Sequence, residues 1–165
     1  MRVFSGLLFI LLLGVLSVVG CGEKEPEGPY LAYSPGRGDW LTSEVTATVR
    51  EARGVDGVEL TVQIEARHRE SGEQLSFLAV VPQLEGRHPV QIYGRLAGFD
   101  SQKGYERLLP ISSACSASDE SAVLIIDAAD PAERRLEGRF LAHVCGVESD
   151  HTWTLGEGRF SGIPY

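Results

Sequence analysis

Strict alternation of apolar and polar side chains is the feature that most constrains the fold of this chain. Across Val58–His68, VELTVQIEARH, every second residue is apolar and the residues between are mostly polar. Successive side chains of a β-strand point to opposite faces, so this period of two predicts a half-buried antiparallel strand. Asp56-Gly57, directly before it, is typical of a hairpin turn and predicts that Val45–Glu51 is the preceding strand.

Similar segments follow one another along the chain, separated by short polar turns, and we find no convincing amphipathic helix after residue 40. The pattern predicts an all-β domain of about eight to ten strands, either an antiparallel β-sandwich or a small meander barrel. The other predicted strands are Leu75–Pro82, His88–Leu96, Ser121–Ala128, Arg135–Cys145 and Thr152–Phe160, with Tyr105–Ile111 either a strand or an irregular segment.

The N-terminus carries a targeting signal. Arg2 precedes an almost unbroken apolar run from Leu7 to Val19, which is short for a spanning helix and predicts a secretory signal peptide over residues 1–20. An uncleaved membrane anchor is the alternative. The tetrapeptide that ends in Cys21, Val-Val-Gly-Cys, resembles the lipobox of bacterial lipoproteins. Cys21 is therefore the predicted lipidation site, and its acyl chains would hold the protein at a membrane.

The residues after Cys21 predict where the protein is sorted and where its domain begins. Gly22 resembles the default that sends Gram-negative lipoproteins to the outer membrane. Residues 22–29, GEKEPEGP, lack aliphatic side chains, and the segment up to Asp39 is rich in Pro and Gly. We therefore expect the lipidated Cys and a flexible tether over 21–39, and a single all-β domain over 40–165.

Charge and composition restrict the partners. The chain has 15 Lys and Arg against 23 Asp and Glu, a formal net charge of −8. Nucleic acid is a poor fit, because phosphate binding needs a basic surface. The chain has no Asn and only two Lys beside thirteen Arg, a bias that a GC-rich bacterial genome explains without any binding role.

Two cysteines, Cys115 and Cys145, remain once Cys21 carries lipid. In an oxidising envelope a disulfide between them is the default expectation, with two buried free thiols as the alternative. A disulfide that closes a loop of this length would stabilise the fold by about 3–4 kcal/mol, less any strain.

The C-terminal half carries three short motifs: Ile125-Ile126-Asp127, then Leu136-Glu137-Gly138-Arg139-Phe140, then Gly158-Arg159-Phe160. They resemble a group of uncharacterised bacterial lipoproteins common in Bacteroidota, of the DUF6252 kind. The resemblance implies an envelope lipoprotein and no particular activity, cofactor or catalytic residue. The Cys115 and Cys145 pair is not part of that group's pattern.

The two Gly-x-Phe motifs also have a physical interpretation. A Gly inside a strand marks a bend, a bulge or a close approach of backbone. We expect Gly138 and Gly158 to be equivalent bends of a curved sheet. Phe140 and Phe160, each two residues later and on the same side, would cover the missing side chains.

Chemistry-bearing residues do not form a recognisable catalytic or metal-binding pattern. The four histidines, His68, His88, His143 and His151, lack the spacing of zinc ligands, and we expect them at the solvated surface. Ser149-Asp150-His151 are consecutive residues, which cannot form a nucleophile–base–orienter chain. The carboxylates Asp119-Glu120, Glu148 and Asp150 do not match a calcium loop. We predict no catalytic site, no metal and no cofactor.

Aromatic residues near predicted loops and chain ends are the more open question, since edge aromatics can stack on sugars or anchor a protein partner. Packing against the domain is the alternative. These aromatic residues are Tyr30, Tyr33, Trp40, Tyr93, Tyr105, Trp153 and Tyr165.

The first functional hypothesis is a non-enzymatic interaction module anchored to the envelope. The second is a carrier of a small apolar or amphipathic ligand in a barrel cavity, and a hydrolase is the third.

Overall fold

The computed structural model describes residues 27–33, 40–54, 57–100, 103–114, 122–147 and 152–165. Of these residues 78% lie in β-strands and none lies in a helix, so the predicted all-β class is confirmed. The described part of the chain accordingly contains no helix able to span a bilayer.

Eleven strands form one antiparallel sheet. In chain order they are β1 Tyr30–Tyr33, β2 Trp40–Thr42, β3 Val45–Gly54, β4 Gly57–Arg67, β5 Gln74–Val81, β6 Gly86–Pro89, β7 Gln91–Asp100, β8 Tyr105–Ser112, β9 Ala122–Asp130, β10 Arg135–Gly146 and β11 Thr152–Pro164.

The sheet order is β2-β1-β11-β10-β8-β7-β5-β4-β3, with β9 paired to β10 and β6 paired to β9. The strand β10 is the branch point, because its residues 135–142 pair with β9 whereas Cys145 and Gly146 pair with β8. The sheet curls until β11 approaches β3. It is not closed into a barrel, and the arrangement is consistent with a sandwich or a meander.

Two local predictions need correction. Val58 lies on the predicted face of β4 but is 62% exposed, because the β3–β4 hairpin extends past the end of β5, whose last paired residue, Val81, faces Leu60. The predicted strand His88–Leu96 is two strands, β6 and β7, which leave Val90 between them and pair with different neighbours.

The folded domain begins earlier than predicted. We expected residues 21–39 to be a flexible tether, but β1 lies within that range and pairs with β11, with Tyr30 opposite Ser161. Tyr30, Leu31 and Tyr33 are all buried. Residues 21–26 and 34–39 lie outside the described residues. With β1, β2 and the division of His88–Leu96 into two strands, the described residues form eleven strands, against the eight to ten predicted.

The core is one continuous apolar cluster that receives side chains from both halves of the sheet. Phe77, Phe140 and Phe160 are the largest fully buried side chains. The rings of Phe77 and Phe140 have centroids 4.8 Å apart at an angle of 59°, one of the tilted geometries that aromatic pairs favour.

The two Gly-x-Phe motifs pack against each other across the β10–β11 pair. Gly138 lies opposite Phe160, and Phe140 lies opposite Gly158. A Cβ at residue 158 would lie 2.1 Å from Cζ of Phe140, and one at residue 138 would lie 2.6 Å from Cζ of Phe160, so both would overlap the far end of a ring. Each ring therefore covers the glycine of the neighbouring strand, and not, as predicted, the glycine two residues before it.

Replacing Gly158 with Ala should lower the free energy of unfolding by about 1–3 kcal/mol, because a packed core accommodates added volume poorly. Urea unfolding followed by far-ultraviolet circular dichroism measures this loss. In a Phe140→Ala background the same replacement should cost much less, since the ring that it meets is absent. Equal losses in the two backgrounds would contradict the cross-strand cover.

Candidate functional site

A groove on the outer surface of the sheet is the best candidate binding site in the described structure. It lies where β5 and β7 separate, and its volume is about 490 Å³, within the range of small-ligand and peptide sites. We call it the β5–β7 groove. Its lining comes from the strands β5 to β9 and comprises Leu78, Val80, Pro89, Val90, Gln91, Tyr93, Ser112, Ser113, Ala114 and Ala122. The described lining residues include no charged side chain.

Strand alternation explains why apolar groups face solvent here. Phe77, Ala79 and Val81 of β5 point into the core, so the residues between them must point outward. Val80 is 54% exposed and Tyr93 38% exposed. The Tyr93 hydroxyl donates to Oε1 of Gln91 at 3.2 Å. An exposed aliphatic and aromatic pair in one groove is a feature of interaction surfaces.

The backbone at the groove has an open edge. The pairing of β5 with β7 ends at Leu78 opposite Gln91, although β5 continues to Val81 and stays paired to β4. Within the described ranges, residues 79–81 therefore have no strand paired to their other side, although β6 passes close to β5. Such an edge offers backbone donors and acceptors to an added extended chain. The apolar run Leu75–Pro82 located β5 but gave no sign of this edge, because an edge depends on distant pairing.

One histidine does meet a serine and a carboxylate, which raises the question of hydrolysis. In the β4–β5 turn, Nδ1 of His68 lies 3.0 Å from Oγ of Ser71, and that hydroxyl donates to Oε2 of Glu73 at 2.8 Å. Nδ1 of His68 also lies 3.3 Å from the Ser71 backbone nitrogen. All of these contacts are exposed and lie within one turn, so they order the turn, and a hydrolase stays the third hypothesis.

Glu73 connects three separate segments. Its carboxylate accepts from Nε1 of Trp40 at 2.9 Å and from the Ala97 backbone N–H at 2.9 Å, in addition to Ser71. The edge strand β2 is thereby held to the β4–β5 turn and to β7. Sequence reasoning missed this role, since nothing local distinguishes Glu73 from a solvated carboxylate.

The aromatic side chains beside Glu73 are packed, not exposed. Trp40 and Tyr33 are buried, with ring centroids 5.0 Å apart, and His68 lies 5.6 Å from the Trp40 ring. Burial, reinforced by the nearby Glu73 carboxylate, raises the pKa of the Tyr33 hydroxyl far above its ordinary value. Tyr33 therefore stays neutral and acts as a core residue.

The other five aromatic residues include both packed and exposed side chains. Tyr30 is buried, and the Trp153 indole donates to the Ala97 carbonyl at 3.3 Å. The guanidinium of Arg134 lies 5.7 Å from the centre of the Tyr165 ring. Of the seven aromatics singled out in the sequence, only Tyr93 and Tyr105 are exposed.

The histidines differ in their burial and in their hydrogen bonds. His88 is buried, which contradicts the predicted surface position, and its Nε2 lies 2.9 Å from the Leu84 carbonyl oxygen. His143 is exposed and its Nδ1 lies 3.1 Å from Oγ1 of Thr154. His151 lies outside the described residues. Within the described ranges, no three His, Cys, Asp or Glu side chains form a group that could hold a metal ion.

A charged cluster lies on the outer face of β9, β10 and β11. Arg139 donates from Nε and Nη2 to both carboxylate oxygens of Asp127, at 3.0 and 3.1 Å, and from Nη1 to Glu157 at 3.3 Å. The hydrogen bonds from Arg139 hold the pKa of Asp127 below its ordinary value. All three side chains are well exposed, so the cluster is a solvated cross-strand ladder worth little stability.

Cys145 lies on β10 opposite Ser112, and its Sγ is 3.7 Å from the Ser112 carbonyl oxygen. Cys115 follows Ser112 by three residues and lies outside the described residues, as do Cys21 and the carboxylates near residues 119 and 148. The register brings the start of the segment that contains Cys115 next to Cys145. The disulfide between them stays a prediction, and so does lipidation of Cys21.

Glu73→Ala should lower the free energy of unfolding by about 1–2 kcal/mol, because it leaves the partly buried indole donor of Trp40 without its acceptor and removes the exposed bond to the Ala97 N–H. The Trp fluorescence spectrum and urea unfolding measure the effect. Glu70→Ala, an exposed change in the same turn, is the control and should stay within about 0.5 kcal/mol of the parent. Similar losses for both variants would show that Glu73 does not hold β2.

Comparison with known proteins finds no match: no family model, no curated protein and no solved structure corresponds to this chain. The resemblance to lipoproteins of the DUF6252 kind therefore stays a prediction from its short motifs.

Proposed function

We propose that this protein is a membrane-anchored envelope lipoprotein whose β domain is a non-enzymatic interaction module. The observation that carries the proposal is the β5–β7 groove, where exposed apolar side chains stand beside an open strand edge. The Cys21 lipobox supports the anchor, and Gly22 supports the outer membrane of a Gram-negative bacterium as its location.

The chemistry of the groove favours an extended segment of a partner protein as its occupant. An extended chain would add to the β5 edge through its backbone and place alternate apolar side chains against Val80 and Tyr93. Among its described lining residues the groove offers no charged group for a nucleotide or phosphate. A polypeptide partner fits both of its features, the open backbone and the apolar surface.

The alternative function, a carrier of a small apolar or amphipathic ligand, has less support. It needs a barrel cavity, but the sheet is not closed into a barrel. In the described structure the space inside the curl contains Phe77, Phe140, Phe160 and Trp40. A ligand would have to displace a packed core, which is unfavourable.

A photo-crosslinking amino acid in place of Tyr93 should yield a discrete higher-mass adduct in the native envelope, and one in place of Tyr105 should not. Tyr105 is the matched control, because it is an aromatic residue that is 54% exposed on β8. In the chain that carries the crosslinker at residue 93, Val80→Asp should reduce the yield of the adduct roughly tenfold or more, because a charge would replace an apolar anchor of the interface. The same adducts at both positions, or none at Tyr93, would overturn the groove assignment.

Intact-mass spectrometry of protein extracted from its own envelope tests the covalent predictions. The chain should begin at Cys21 and carry acyl chains, and Cys21→Ser should be unlipidated. The thiols of Cys115 and Cys145 should react with an alkylating agent only after reduction. An unmodified chain that starts at Met1 would exclude the lipoprotein assignment, whatever the state of the two cysteines.

A further inference from the structure

The β3–β4 hairpin ends in an arm that leaves the body of the sheet. Val81, the last residue of β5, faces Leu60 of β4, and three further residue pairs of the hairpin lie beyond that point. We call residues 50–54 of β3 with residues 57–61 of β4 the β3–β4 arm. A ribbon of only two strands is marginally stable in water, so additional strands would stabilise the arm.

The outer edge of this arm is open. Within the described ranges β3 pairs with β4 alone, in a register without a bulge. The first half of β3 is covered by the core, with Val45 buried and Ala47 and Val49 half-buried. Residues 50–53 are all exposed, although successive side chains of a strand point to opposite faces. A regular, uncovered edge of this kind is a template for pairing with another chain.

The charges on the arm are balanced. The described arm carries Arg50 and Arg53 against Glu51 and Glu59, and hence no net charge. Glu51 and Arg53 lie on the same face of β3, and in the described structure neither side chain forms an ion pair or a side-chain hydrogen bond. An arm with these charges does not repel a second copy of itself.

The order of the charges determines how two copies fit together. When two antiparallel strands are related by a two-fold axis through the sheet, the residue on the axis faces its own copy. Registers centred on Arg50, Glu51 or Arg53 therefore place like charges opposite each other, which is unfavourable. A register centred on Gly54 would pair only the end of the arm. Only the register centred on Ala52 uses all of residues 50–54 and opposes unlike charges.

We propose that two copies of this chain form a dimer in which residues 50–54 pair as antiparallel strands about Ala52, so that Glu51 of each copy faces Arg53 of the other. The two arms then form one four-stranded sheet, with the two domains at its opposite ends. Each ion pair lies between Leu60 of one copy and Val58 of the other, because these residues face Glu51 and Arg53 across their own hairpins. Val58, which is 62% exposed, gains the aliphatic part of the arginine as a neighbour.

Pairing at β3 is compatible with the proposed function but does not depend on it. The strands β4 and β5 separate the β3 edge from the β5–β7 groove, so a dimer presents two accessible grooves. Five residues from each copy form a small interface, and the dimer is therefore weak in dilute solution. If Cys21 carries lipid, a shared bilayer raises the effective concentration of the two copies.

Photo-crosslinking of the purified full chain in mild detergent tests the pairing, because irradiation traps weak complexes. A photo-crosslinking amino acid in place of Ala52 should yield an adduct of twice the chain mass. The same amino acid in place of Tyr105 should not, since β7 leads away from the arm and Tyr105 faces its far end at Asp100. No dimer adduct from residue 52, or equal yields from the two positions, would overturn the proposal.

Charge reversal in the chain with the crosslinker at residue 52 tests the register. Glu51→Arg alone or Arg53→Glu alone should reduce the yield roughly tenfold, because both cross-copy pairs then oppose like charges. Mixing these two variants, or combining both changes in one chain, should restore much of the yield, since unlike charges again face each other. Arg95→Glu, an exposed change on β7, is the control and should have no effect.

The mixture separates self-pairing from a loss of folding, because a chain that had failed to fold would not recover when mixed with another variant. A yield that the single reversals leave unchanged, or a mixture that does not recover, would overturn the proposed dimer. A chain that carries no lipid but still dimerises would contradict the anchor alone.

Discussion

Two phenylalanine rings, each lying over the glycine of the neighbouring strand, fix how β10 and β11 pack in the centre of the molecule. Because residues 138 and 158 lack side chains, the far ends of the Phe140 and Phe160 rings can lie over them, and both rings are buried in the core. The strand β10 then pairs with β9 along one half and with β8 at its end. The strands β1, β8 and β9 pair with β10 or β11 directly, and the other described strands join the pair through one to four neighbours.

Alternating hydrophobicity was enough to predict the fold class and most of the strands. Alternation and apolar runs are local properties, so β4, β5 and β10 were found within one residue of their bounds, whereas β11 extends four residues past its predicted end. The short strand β1 was missed because its segment is surrounded by Pro and Gly, and only its pairing with the distant β11 makes it a strand. The division of β6 from β7 was missed for the same reason, since it depends on which neighbour each half pairs with.

The residues of the candidate site could be predicted from the sequence less completely than the strands. Tyr93 was noted among the aromatics, but its exposure depends on the separation of β5 from β7, which no local pattern encodes. Glu73 was not noted at all, although it joins three segments. Conversely, the sequence left open whether Tyr33 and Trp40 are exposed or packed, and in the structure both are core residues. Long-range strand pairing decides whether each of these side chains is exposed or buried, because it determines which face of a strand is covered.

The pairing of β1 with β11 has a consequence for the order in which the sheet forms. The first described strand bonds to the last, with Tyr30 opposite Ser161. The described sheet therefore cannot be completed until the polypeptide has been synthesised as far as residue 161. Contacts so far apart in sequence also form slowly. Closure of this pair is thus a late step of folding, and it joins the two ends of the described chain.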